Sequence, residues 1–471
     1  MNPDIPLRWH RRYRIFDVEN GILFIGEKES YFLKGALYVE LLPKINSSSS
    51  GQDALSLFRN FQDQLAALNG IESLLRQGFI EEIGGDDESI FFVRPDFKKE
   101  PFALPSESNQ PKVTILSQCL PQDEWISSFK QFQSRLPDTI IVDDYLDPRL
   151  EEINQHYMKS GTPWLLIKPM GEKPLIGPYF RPSVDDSPCR GCLADRMLHN
   201  QPVRRWRQSS RDGNTISIPL PVDRSQVKSR IETVLKIAVD LVKRTKEHQK
   251  YFLKTIDPPE SRHIIFRRPQ CSYCGDPDMM EKQADQPIQI QTGIKRFNAD
   301  GGFRMIHPHE TIQRLLPFVS PITGIMCDAG KLPDQPKVGV QIFRSSFFKT
   351  PGVHECLSEN DFIQYSLGKG ISEAQSRAGA LAESVERYSA RYQGDEAVVW
   401  GTPKQLRGRS ILPHQLAEFS EQQYAELNIP RYSPHIPLPW TPGYSLTYDE
   451  KVYLPVTFCY EIGRASCRER V

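Results

Sequence analysis

Two pairs of cysteines and one pair of glutamates are the residues here whose types and spacing could do chemistry. Cys189 and Cys192 in "SPCRGC", and Cys271 and Cys274 in "PQCSYCGD", each form a Cys-x-x-Cys knuckle. Four thiolates complete a tetrahedral shell around zinc, and a shell filled by protein leaves no position for water or substrate, so such a metal is structural. Gly191 and Gly275 supply the backbone freedom of a tight knuckle. The separation of the two pairs exceeds any compact zinc-finger spacing, so the site would clip distant segments together. Free thiols or a redox pair are the competing readings. Glu383 and Glu386 lie in "GKGISEAQSRAGALAESVERYSARY", residues 368–392. Two carboxylates one helical turn apart can hold a divalent cation through oxygen. Ordinary solvated glutamates on an amphipathic helix are the alternative.

The helix that must carry those glutamates has a well-specified start. Ile371 as staple, Ser372 as N-cap and Gln375 at the third helical position make a capping box. Ala374, Ala378, Leu381, Val385, Tyr388 and Tyr392 recur in steps of four and three and define one apolar stripe. Glu383 lies opposite it, and Ser372, Ser376 and Gly379 share the far face, where small residues would admit something close. A Gly368-Lys369-Gly370 turn before the positive end of the helix dipole is a place for phosphate. "KVGVQIF" and "DFIQYSLGKG" read as strands ahead of it. His307 and His309 are read as loop residues with no metal. Cys119, Cys327, Cys356 and Cys459 are read as small buried hydrophobes.

Upstream, "YRIFDV", the Asn20-Gly21 turn and "ILFIGE" predict a hairpin, and "SYFLKG" adds a third apolar stretch. The serine-rich "NSSSSGQD" predicts a loop before helical periodicity in "ALSLFRNFQDQLAAL". Three short strands with a few helices make a winged-helix-like unit. DNA binding or a plain structural role fits such a unit. The segment "NGIESLLRQGF" offers one arginine offset by a glutamate, too little for phosphate neutralisation, although the basic "RWHRR" keeps that reading open. A sheet edge beside a helix can instead capture a peptide by strand addition.

Between residues 110 and 300 strand and helix alternate through "KVTILSQ", "DEWISSFKQFQSRL", "DTIIVDD", "RLEEINQHYMKSG" and "PWLLIKP", which predicts an α/β layer with a parallel sheet. No glycine-rich turn follows the first strand, so the layer is expected to be a scaffold and not a nucleotide site. The 471 residues carry 59 Lys plus Arg against 59 Asp plus Glu, so no global field draws the chain to nucleic acid or anionic lipid. There is no apolar run of membrane-spanning length, "MNPDIPLRWHRRYR" has no apolar h-region behind its basic residues, and an odd cysteine count with four in Cys-x-x-Cys pairs suits a reducing compartment. A cytoplasmic protein with neither nucleic acid nor membrane as partner is expected. "IGRASCRERV", residues 462–471, breaks the pattern of the preceding strand and reads as a sequencing-adapter artefact.

The stretch 368–392, with its Glu-x-x-Glu-Arg ending at Glu383, Glu386 and Arg387, resembles the signature of the YcaO family, and "SPITGI" upstream fits the start of the same domain. "GPYFRPSVDDSPCRGCLADRMLHNQP" is similar to the ThiF-like partner domain of azoline-forming cyclodehydratases, including its first zinc knuckle. The N-terminal module resembles their leader-binding winged helix. The order matches the fused heterocyclases of cyanobactin biosynthesis, of the patellamide and trunkamide pathway type.

The resemblance implies an α/β and α+β multidomain protein: a winged-helix-like leader-peptide-binding domain at 1–108, a ThiF-like α/β scaffold with a four-cysteine zinc site at 109–305, and the start of a YcaO ATP-binding domain at 306–461. It implies an ATP- and Mg2+-dependent cyclodehydratase that converts Cys, and in some members Ser or Thr, of a ribosomal precursor peptide to thiazoline or oxazoline. Glu383 and Glu386 would bind Mg-ATP, Lys369 would contact phosphate, and zinc would be structural. "SYFLKG", with Ser30, Tyr31, Phe32, Leu33 and Lys34, is expected to give the leader its edge strand. A homodimer is a possible assembly. The family's nucleotide domain extends beyond this chain and Gly379 replaces a frequent serine, so the polypeptide as written is expected to be inactive. The alternative is a short precursor-peptide-binding scaffold without catalysis.

Overall fold

The computed structural model describes residues 5–461 apart from 48–49, 57, 59, 84–88, 98–109, 120–121, 210–214, 249, 257–260, 285, 287–288, 299–302, 334–338, 352–357, 418 and 429. Residues 462–471 and Cys356 therefore lie outside the described residues. The protein is a mixed α/β multidomain fold. Contacts divide it into two compact units, one of Met1–Arg190, Ser210–Ile265 and Cys356–Ser358, the other of Gly191–Ser209, Phe266–Glu355 and Glu359–Val471. Among the described residues no helix is long and apolar enough to cross a membrane.

The first unit opens with β1 (Leu7–Trp9), β2 (Arg14–Val18), β3 (Gly21–Ile25) and β4 (Ser30–Lys34), followed by α1 (Ala36–Ser47), α2 (Gly51–Ser56), α3 (Phe61–Arg76) and β5 (Ile80–Glu82). β2, β3 and β4 form an antiparallel sheet with β3 central and buried at every residue. The hairpin turns at Asn20, whose φ of 61° is the left-handed conformation that an Asn-Gly turn supplies. Part of the serine-rich run is helical and not loop, since Ser47 ends α1 and Gly51 begins α2. On α3, Ala67, Ile71 and Leu74 recur at helical spacing and join Ile22, Phe24, Leu41 and Ile45 in one core. The basic run is used internally. Arg8 Nε donates to Glu81 at 2.8 Å, Arg11 lies 3.5 Å from the same carboxylate, and Arg12 donates to the carbonyl of Gly78.

Next come β6 (Ile90–Val93), β7 (Val113–Ile115), α4 (Gln122–Lys130), β8 (Asp138–Ile141), α5 (Arg149–Ser160), β9 (Trp164–Lys168) and β10 (Leu175–Phe180). The chain passes through α6 (Arg190–His199) and α7 (Pro202–Ser209) and returns as β11 (Leu220–Asp223), α8 (Val227–His248), β12 (Phe252–Thr255) and β13 (Arg262–Ile264). β7, β8 and β9 are parallel, as the alternation predicts, and β10, β12 and β13 extend the sheet antiparallel. Asp143 lies just beyond the carboxyl end of β8, the end at which a doubly wound sheet holds its ligand, and it is buried. Ser117 Oγ donates to Asp143 at 2.5 Å and the Gln118 amide at 2.7 Å. Burial pushes the Asp143 carboxyl up despite these donors.

One ion pair ties the β3–β4 hairpin to the loop after β9. Glu27 accepts from Lys168 Nζ, from the Glu172 amide at 2.6 Å and from the Lys173 amide at 2.8 Å, and both charged side chains are over nine-tenths buried. Removing one partner strands the other charge, so Glu27→Ala is expected to cost about 3–5 kcal/mol. The denaturant midpoint checks this, and a loss within 0.5 kcal/mol, roughly that of a surface site, would show that the pair tethers nothing.

The second unit adds α9 (Met279–Ala284), β14 (Phe297–Asn298), β15 (Phe303–Arg304), α10 (Pro308–Leu315), β16 (Asp328–Lys331), β17 (Gln341–Phe348), β18 (Ile363–Gly370) and α11 (Glu373–Ser389). It continues through β19 (Val399–Gly401), β20 (Arg409–Ser410), α12 (Pro413–Leu416), α13 (Glu421–Leu427), β21 (Leu438–Ser445), β22 (Glu450–Pro455) and α14 (Val456–Cys459). β16, β17 and β18 form one antiparallel sheet with β18 at its edge, and β19, β21, β22 and β20 form another. α11 is buried on two sides. Ala378 and Leu381 pack with Ile312 and Met326, while Ser376, Ala380 and Ser384 are buried on the side of β17 and β18.

Candidate functional site

The ligand atoms of Cys189, Cys192, Cys271 and Cys274 all lie within 4.8 Å of one another. Cys189 immediately precedes α6, whose first turn carries Cys192, and the other two come from the loop after β13. A tetrahedral zinc–thiolate shell separates its sulfurs by about 3.8 Å, given metal–sulfur bonds of about 2.3 Å. The tetrad fits that size, with Cys192 Sγ 3.4 Å from Cys274 Sγ and three of the four residues buried. The backbone N–H of Arg268 donates to Cys192 Sγ at 3.3 Å. Gly275 is required by the knuckle, because a Cβ there would stand 2.1 Å from the Pro269 carbonyl oxygen. Gly191 sits instead in the first turn of α6, where helical geometry closes the other knuckle.

Helix α11 has the N-cap its sequence specifies, with Ser372 Oγ accepting from the Gln375 amide at 3.2 Å. Ile371, read as the staple, is 75% exposed and so buries little of its side chain there. The small residues of the far face do not open onto ligand space. They receive β18: a Cβ on Gly368 would stand 1.8 Å from the Ser376 carbonyl oxygen and 2.3 Å from the Ala380 amide nitrogen. The expected Gly368-Lys369-Gly370 turn is correspondingly the end of β18, paired through Gly370 with Gln341. Lys369 is exposed in that strand opposite Ile342.

Glu383 and Glu386 differ in their surroundings. Glu383 Oε1 accepts from Arg387 Nε at 2.9 Å, and Oε2 accepts from the Leu367 amide at 3.2 Å. The register explains the second contact. Lys349 donates to Phe362 across the β17–β18 ladder, so the alternation of an antiparallel pair turns the amides of Tyr365, Leu367 and Lys369 to the outer edge. Glu386 is exposed one turn further on. Among the described residues, the cysteine tetrad is the one cluster of three or more His, Cys, Asp or Glu side chains placed to share a metal, and the two glutamates have no third such ligand beside them there. Their chemistry suits a hard cation such as Mg2+, which keeps waters and substrate phosphate oxygens in its shell and needs only one or two carboxylates. The Glu383–Arg387 pair was legible as an i,i+4 spacing. Tyr388, which accepts from Arg196 Nη1 at 2.5 Å, carried no such signal because its partner is distant in sequence.

Ser30, Tyr31, Phe32, Leu33 and Lys34 are β4, an edge strand bonded to β3 alone. Gly26 donates to Glu29 and Gly35 to Asn20. The alternating ladder then leaves Ser30, Phe32 and Lys34 with main-chain groups turned outward. Of the isolated cysteines, Cys119 and Cys327 are buried, whereas Cys459 is exposed and does not fit the buried reading. Burial pushes both buried thiols up, Cys119 with a further contribution from Asp143, which leaves them protonated and poor nucleophiles.

With this geometry in hand, residues 367–470 match the family model described as YcaO cyclodehydratase, ATP- and Mg2+-binding. The matched span holds all of α11 with both glutamates and runs on past Glu461, so this segment is similar to the family that the sequence resemblance named. Among solved structures, the chain resembles one described as a heterocyclase in complex with substrate and cofactor, at 24% identity, a TM-score of 0.62 and 96% coverage of this chain. It also resembles the heterocyclase TruD, at 20% identity, a TM-score of 0.53 and 98% coverage. The fold is that of these heterocyclases. The chain spans 65% and 64% of their lengths. No curated protein sequence matches it.

Proposed function

We propose that the protein acts in ATP-dependent cyclodehydration of a ribosomally made precursor peptide, turning Cys, and in some cases Ser or Thr, into thiazoline or oxazoline, as in cyanobactin biosynthesis. The observation that carries this reading is the YcaO match across the helix bearing Glu383 and Glu386. In the proposed reaction the side chain of a core Cys attacks the preceding carbonyl carbon. The oxyanion formed takes a phosphoryl group from ATP, phosphate leaves in place of hydroxide, and loss of the amide proton closes the C=N bond. Glu386, exposed, and Glu383, once its oxygens are shared with the cation, would hold Mg2+ against the phosphates, with Lys369 as a further phosphate contact. The tetrad would hold structural zinc. The domains proposed are a winged-helix-like unit at 1–108, a ThiF-like scaffold at 109–305 and YcaO sequence from 306. The setting proposed is the cytoplasm and the assembly a homodimer. Incubating the protein with Mg-ATP and a Cys-containing precursor tests the activity. Loss of one water per modified Cys by mass spectrometry supports it, and an unmodified peptide with intact binding leaves the chain a scaffold.

Leader capture is assigned to the outer edge of β4. Because Phe32 turns its amide outward, Phe32→Pro removes a donor from the edge without breaking a bond to β3. Each backbone hydrogen bond contributes about 1 kcal/mol, so leader affinity is expected to fall roughly fivefold or more. Titration of a fluorescent leader checks this, and unchanged affinity would remove β4 from the leader site.

A further inference from the structure

The cysteine tetrad and the carboxyl-terminal half of α11 are joined by a set of side chains that neither a zinc shell nor a phosphate site needs. Arg268 stands at the centre. Its backbone N–H is held by Cys192 Sγ at 3.3 Å, and the neighbouring Arg267 Nε donates to the Cys274 carbonyl at 2.9 Å, so the knuckle fixes where Arg268 leaves the chain. Its guanidinium reaches two carboxylates, Asp195 at 2.8 Å and Asp395 at 3.8 Å. All three side chains are nearly four-fifths buried, which spares the contacts much of the solvent screening that weakens surface pairs. Both routes end on one residue. Asp195 precedes Arg196, whose Nη1 donates to Tyr388 Oη at 2.5 Å with the guanidinium 5.2 Å from the ring centroid. Asp395 lies in a loop that Glu396 folds by accepting from the Gln393 and Gly394 amides, and Gln393 Nε2 donates to the Tyr388 carbonyl at 3.3 Å. Tyr388 is two residues beyond Glu386 on α11.

We propose that the metal held by the tetrad orders the carboxyl-terminal half of α11, and with it the direction of Glu386, through Arg268, with Arg196 and Tyr388 as positioning residues. The inference rests on the tetrad being a zinc site, so zinc content is measured first. A protein that neither carries nor takes up zinc overturns that reading and this one together. With one zinc per chain established, amide hydrogen exchange of the full chain is compared for wild type, Arg268→Met, Arg268→Lys and Arg196→Met. Arg268→Met and Arg196→Met are expected to keep their zinc yet exchange residues 385–390 roughly fivefold faster, the protection of about one hydrogen bond. β21 and β22 should be unchanged. Arg268→Lys, which leaves a cation between Asp195 and Asp395, should restore most of the protection, which a merely structural role for the arginine stem would not. Stripping zinc from wild type should accelerate the same amides. Zinc-loaded Arg268→Met with wild-type rates at 385–390 overturns the coupling while leaving the zinc site standing, and the loaded variants decide the matter even where chelation unfolds the whole unit.

Discussion

Gly368→Ala is expected to destabilise the second unit by about 3 kcal/mol or more, because overpacking against main chain has no side chain to move aside. The added methyl would stand 1.8 Å from the Ser376 carbonyl oxygen, so either β18 leaves α11 or the helix shifts away from the sheet. In both cases the Leu367 amide loses its place at Glu383. Gly379→Ala is the matched control. It lies on the same contact, but its methyl would meet only the Gly368 Cα at 3.5 Å, an ordinary separation. Alanine is the better helix former by about 1 kcal/mol, so this variant is expected to be neutral or slightly stabilising. Denaturant midpoints of the two variants check the pair. Equal effects would mean that β18 does not seat on α11 through Gly368.

The two glutamates are expected to separate in a second experiment. Glu386 is exposed and outside the packing of α11, so Glu386→Gln should leave stability within about 0.5 kcal/mol of wild type. The same change should weaken Mg-dependent ATP binding on the order of 10- to 100-fold, as loss of a metal-holding group does. Glu383 has a second role, holding Arg387 and the Leu367 amide. Glu383→Gln should therefore lose nucleotide binding and also about 1 kcal/mol of stability. Calorimetric titration with a non-hydrolysable ATP analogue, with and without Mg2+, reads the first quantity and thermal unfolding the second. Full Mg-dependent affinity in Glu386→Gln would remove that residue from the proposed cation site.

Much of this protein is written in local sequence, and the reason is that the relevant interactions are local. The Asn20-Gly21 turn, the Ser372 cap and the alternation of β7, α4, β8, α5 and β9 depend on residues within a few positions of one another, and all take the expected form. The two cysteine knuckles were legible because thiolate chemistry and spacing restrict what such pairs can do, and their four ligand atoms do converge. That Ser30–Lys34 forms an edge strand also follows from its pattern and its place after a hairpin.

Other features depend on pairings across long stretches of chain, and here local pattern misleads. The small face of α11 reads equally as a ligand recess or a seat for another backbone, since glycine and serine permit either. Only the approach of β18 decides for the second. The same strand turns the expected glycine turn into a ladder end, because eight paired residues from Ile363 to Gly370 outweigh the glycines' preference for a turn. Composition and motif alone thus determined the four-thiolate grouping, the helix carrying Glu383 and Glu386, and their family resemblance. Tertiary structure alone decided what fills the helix's small face, which glutamate is engaged by the protein itself, and that Arg268 and Tyr388 connect the cysteines to that helix, since these contacts join residues whose separation along the chain leaves no periodic trace.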